Sequence, residues 1–204
     1  MNKFFIYLFG VTGIGIGIGL ILLANVGYGP WDIFYVNFVY LFKSSFVVVQ
    51  TVMSLALVLV GFLIRKQKVD RSIIIITINS AYLAVWIDLM LRLPMSTNPV
   101  VGYVMLITGL TMIAVGVNMA RFTAMVLPAL DFFTRSIYLS TKLSYGRIKQ
   151  VIEGIVLIIG LLVGFIFNLD FTLGFGTIII LFMGGHMINF TYDHVTKFLT
   201  KIVK

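Results

Sequence analysis

Two aspartates placed just behind prolines are the first residues whose setting could do chemistry. In "ANVGYGPWD" the order is Asn25, Gly27, Gly29, Pro30, Trp31 and Asp32; in "LPALD" Pro128 precedes Asp131. Proline cannot continue a helix from before it, yet it suits the first turn of a new one. Each carboxylate therefore falls in the first turn of a short helix, at the positive end of its dipole. Backbone donors at these two starts could hold a solute, and Asp32 and Asp131 could bind a cationic group or carry a coupling proton.

Other polar residues stand inside otherwise apolar stretches, where they are costly and point to function. Asn79 and Asp88 share one stretch, and Asp88 lies four residues before Arg92, so an ion pair and a cavity role are both open to it. Gln50 and Ser54 could line a cavity, and Asn118 stands alone among apolar neighbours. Glu153 follows Lys149 by four residues, the spacing of a helical ion pair. His186, Asn189 and Asp193 recur at three- and four-residue steps and share a helical face. Two histidines eight apart, His186 and His194, make a poor metal site, so hydrogen bonding or a proton-linked role suits this face better.

Several chemistries are excluded. The chain has no cysteine, which removes disulfides, thiolate catalysis and Cys-based metal sites. "GVTGIGIGIGL" follows no strand and does not match dinucleotide spacing; its Gly13/Gly17 and Gly15/Gly19 pairs are small-residue positions for close helix packing. No nucleophile with a matched base, phosphate loop or catalytic carboxylate pair is evident, so neither an enzyme nor a cofactor or metal protein is expected. The net charge of +8 fits cytoplasmic membrane loops better than nucleic acid.

The elements that must position these residues follow from composition. The chain is 60 % hydrophobic and 11 % charged, with a mean hydropathy of +1.10. Soluble domains carry about 25 % charge, so lipid must solvate this one. A helix needs roughly 20 apolar residues to cross the hydrocarbon layer. Six stretches come near that: 4–25, 46–64, 72–91, 100–120, 150–167 and 174–192. The last two are parted by a turn carrying Asn168, Asp170 and Gly174. With the N-terminus inside, 13 Lys and Arg fall on the inner side and only Lys43 and Arg92 on the outer, so both termini should be cytoplasmic. The first stretch is longer than a secretory apolar core and is followed by no small-residue cleavage site, so it reads as a retained span.

Shifting the chain by 99 residues lays Gly17 on Gly116, Asp32 on Asp131, Lys43 on Lys142, Ser45 on Ser144 and Gly61 on Gly160. Three spans separate the copies, so the second must be upside down. The expected fold is thus all-α: one polytopic helical membrane domain over 1–204, built as two inverted three-helix repeats, about 1–98 and 99–204. Each carries a short interrupted or re-entrant helix, at 30–42 and 128–142. Residues 33–42, "IFYVNFVYLF", hold one polar side chain and no charge. That favours burial among the spans over a place on the membrane surface.

"ANVGYGPWD", "WIDLML" at 86–91, "LPALD" and "GFGT" at 174–177 resemble the YczE/YyaS/YitT family of bacterial integral membrane proteins. Lacking the soluble C-terminal domain of YitT-type members, the chain is most similar to the YczE-like branch. The resemblance implies a bacterial plasma-membrane protein and brings no substrate with it. Together these features lead to a small-solute transporter or permease-like protein, with its site between the inverted halves and the bilayer as its solvent. A membrane-embedded substrate-binding subunit of a multi-component importer is the alternative, as is a scaffold assisting a cytoplasmic complex. The protein partners open to it are a second copy, as a homodimer, or another membrane subunit.

Overall fold

A computed structural model describes residues 2–125, 128–169 and 173–203. Eight helices follow in order: α1 (Lys3–Ala24), α2 (Pro30–Phe42), α3 (Phe46–Ile64), α4 (Ser72–Met90), α5 (Pro99–Thr123), α6 (Ala129–Ser140), α7 (Tyr145–Ile166) and α8 (Phe175–Ile202). Six of them are long and apolar enough to cross a membrane, the two exceptions being α2 and α6. This is the make-up of a multi-pass helical membrane protein.

Local chemistry sets the boundaries. Asn2 caps α1 by accepting from the Phe4 N–H, and α1 stops where Asn25 turns left-handed at φ 53°. Gly27, at φ +137°, carries the chain into α2, which opens on Pro30. The Val26 carbonyl in this loop accepts from the Gly176 N–H at 2.9 Å and so ties it to the start of α8. Ser45 caps α3, and Asn98 with Pro99 starts α5. Asp70, in the loop before α4, accepts from the Ser72 N–H at 2.7 Å. Those Ser72 contacts, with Arg65 nearby, hold the Asp70 carboxyl below the usual carboxylate range.

Three boundaries differ from the apolar stretches. α7 begins at Tyr145 rather than 150, α6 covers 129–140 rather than 128–142, and α8 runs to Ile202 rather than 192. The last turns of α8 carry Lys197 and Lys201. Hydropathy marks where hydrocarbon ends, whereas backbone hydrogen bonding continues a helix into water. Leu127 and Asp170 lie outside the described residues.

α1 and α5 form the centre of the bundle. Gly10 meets Gly116 and Gly17 meets Gly109, so numbers rise on one helix as they fall on the other: the pair is antiparallel. A Cβ on Gly17 would stand 2.7 Å from the Gly109 carbonyl oxygen, and one on Gly10 would stand 2.8 Å from that of Gly116. Only glycine permits so close a backbone approach, the means by which helices associate in a solvent as apolar as their side chains. α4 packs on α1 and α8 packs on α5. α3 also packs along α4, but among the described residues no comparable packing joins α7 to α8.

Both short helices lie against spans. α2 crosses α7 at Gly160, where a Cβ would come within 3.1 Å of Ile33 and of the Phe34 backbone. α6 crosses α3 at Gly61, where a Cβ would meet the Phe132 ring at 2.8 Å. Ile33, Phe34, Ala129 and Phe132 are buried at these crossings, in agreement with burial rather than an amphipathic surface placement for 30–42.

Candidate functional site

The short helices and the spans they cross line a cavity of 440 Å³ that is open on one side, where Val60, Val151 and Ile155 are exposed. Trp31 and Phe34 come from α2, Met53 and Leu57 from α3, Phe133 and Ile137 from α6, and Ile152 and Val156 from α7. Every lining side chain is apolar apart from the Trp31 indole N–H. Trp31 sits edge-on to Phe34, and its buried Nε1 has no hydrogen-bond partner among the described residues. The site can accept hydrocarbon or aromatic surface, and its walls carry no ionisable group.

The two aspartates lie beside this cavity in sequence but do not line it. Asp32 accepts from the Gly29 N–H at 3.2 Å and thereby closes the first turn that Pro30 opens. One turn on, the Tyr35 ring packs against the Phe46 ring with centroids 5.7 Å apart, joining α2 to α3. Gln50, one turn before Ser54, is half-buried and outside the cavity wall. Pro128 is exposed just before α6, and Asp131 is half-buried in its first turn. Asn25 is exposed in the α1–α2 loop.

Asp88 does something the sequence reading did not offer. Its carboxylate accepts from the Phe46 N–H at 3.0 Å and the Val47 N–H at 3.3 Å, so the end of α4 caps the start of α3. No ion pair between Asp88 and Arg92 is among the described contacts. Glu153 pairs with Lys149 at 3.9 Å on a half-exposed face of α7, as their spacing suggests. Asn79 is half-buried on α4. Asn118 is 1 % exposed and donates to the Ile188 carbonyl at 2.7 Å and to Thr191 Oγ1 at 2.9 Å, pinning α5 to α8.

Asn37 went unnoticed as a site residue. It is 0 % exposed and donates to the Gly160 carbonyl at 2.7 Å, locking the α2–α7 crossing. The available signal was its standing as the single polar residue in "IFYVNFVYLF". On α8, His186, Asn189 and Asp193 are exposed, and none reaches the cavity. Among the described residues no group of three or more His, Asp or Glu could hold a metal ion.

An all-helical bundle with six membrane-length helices, two short helices packed by one face against them and an apolar cavity between defines a polytopic membrane protein. Residues 1–193 match the family of unknown function DUF6198, and the chain belongs to that family. No curated protein and no solved structure matches it. These comparisons do not confirm the narrower resemblance to YczE/YyaS/YitT proteins.

Proposed function

We propose that the protein is a small-solute permease whose site is the cavity shared by α2, α3, α6 and α7, and that its halves are inverted repeats. The cavity carries the proposal, because each half contributes one short helix and one span to it. The 99-residue shift supports the repeat. It carries Gly61 to Gly160 and Ile33 to Phe132, residues that mark the two short-helix crossings. It also carries the Gly10–Gly116 contact onto Gly109–Gly17, as a pseudo-two-fold axis in the membrane plane requires. Alternating access would be a rocking of one half against the other around these crossings, with Asp32 and Asp131 as the carboxylates open to a coupling proton.

The apolar walls favour an apolar or amphipathic solute over a strongly hydrated one, since a polar group left unpaired there would lose its water without replacement. A bacterial plasma membrane, a YczE-like affiliation, cytoplasmic termini and a non-enzymatic role belong to the same reading. An even number of spans and the 13-to-2 basic bias support the cytoplasmic termini.

Proteoliposome uptake of a panel of aromatic amines, short-chain alcohols and lipophilic cations tests the reading. Ala56 lines the cavity, and Ala56→Trp should fill it and cut uptake of the transported member at least tenfold. Thermal unfolding in detergent reports whether that variant still folds. Uptake no faster than in protein-free vesicles across the whole panel, or equal uptake by a folded Ala56→Trp variant, would remove the proposal.

A further inference from the structure

The outward face of α8 carries exposed polar side chains within a membrane-length helix, and two of them, Asn189 and Asp193, have no partner among the described residues. His186, Asn189 and Asp193 lie along one line on the helix, opposite Ile188 and Thr191, which hold Asn118. At 1.5 Å per residue from Phe175, His186 lies about 16 Å and Asn189 about 21 Å along the helix, inside a hydrocarbon layer about 30 Å thick. Asn189 and Asp193 make no hydrogen bond or ion pair among the described residues. The same face carries Phe182 at 71 % and Phe190 at 75 % exposure, and no α7 packing covers it.

We infer that this face is the seam of a homodimer, with α8 of a second copy parallel to the first across a two-fold axis along the membrane normal. The chemistry is self-complementary. His186 Nδ1 lies 2.7 Å from the Phe182 carbonyl, which can only accept, so Nδ1 bears the proton and Nε2 is left as an acceptor. An Asn189 amide from the second copy can donate to that nitrogen, and two facing Asn189 amides can each donate and accept. One turn further, Asp193 comes level with its own counterpart, and Lys197 of the other copy lies about 6 Å along the axis, within reach of its long side chain, so acid and base can pair diagonally across the seam. A single two-fold therefore pairs amide with amide and acid with base, whereas lipid tails pair none of them.

The absence of cysteine makes the test direct. Full-length single-Cys variants are reconstituted in bilayers and oxidised with copper phenanthroline. Phe182→Cys should give a covalent dimer, while Leu63→Cys on the exposed side of α3 should not. Adding His186→Leu and Asn189→Leu to Phe182→Cys should lower the dimer yield at least tenfold, with the helical circular dichroism in detergent unchanged because both side chains are exposed within a single chain. Equal yields at 182 and 63, no covalent dimer at 182, or a yield indifferent to the double leucine change would each overturn the homodimer. Cross-linking in native membranes to a different protein in place of a second copy would overturn it too.

Discussion

Asp88 is a carboxylate near the end of a membrane-length helix whose partners are two backbone N–H groups at the head of a neighbouring helix. Asp88→Leu leaves both donors without their acceptor and should destabilise the protein by about 1–2 kcal/mol, while Asp88→Asn keeps an acceptor and should lose less. Thermal unfolding in detergent ranks the three proteins; if Asn and Leu prove equally neutral, the cap carries no stability. The residue was legible as one that must have a purpose, but the purpose was not. A cap that reaches 42 residues back along the chain leaves no local spacing to read, unlike the four-residue step of Lys149 and Glu153. Asn37 was hidden differently: its partner is a backbone carbonyl on α7, and sequence cannot show which carbonyl a helix crossing will expose.

At the scale of elements, glycine decides how near the helices come. Gly17→Leu would force α1 away from the Gly109 carbonyl and should cost about 3 kcal/mol, at or above the upper end of ordinary overpacking because backbone cannot yield as a side chain can. Gly154 has nothing within 4 Å of an added Cβ, so Gly154→Ala should stabilise by about 0.5–1 kcal/mol through helix propensity alone. Opposite shifts of the unfolding midpoint are the expected result, and equal shifts would show that the α1–α5 approach is not what limits stability. The six long helices and the two short ones could be read from apolar length and from the Gly–Pro punctuation before Pro30. The crossings at Gly61 and Gly160 could not, because any glycine in an apolar helix looks alike until its neighbour is known.

For the whole molecule, the proposed topology has all six membrane-length helices crossing, which would return the chain to the side on which it began. Reporter tags fused at either end should both read cytoplasmic, and a tag in the α4–α5 loop beside Arg92 should read external; tags at the ends on opposite sides would refute the span count. The central α1–α5 seam has a further property. Gly10 and Gly17 on one face recur as Gly109 and Gly116 on the other, each seven residues apart, and each meets the far member of the opposite pair. Such a surface is its own complement. On the proposed inverted-repeat reading, an ancestral chain half this length, threading the bilayer in both directions, could have closed the same junction with a copy of itself, and a single fusion would then have fixed the two orientations for good.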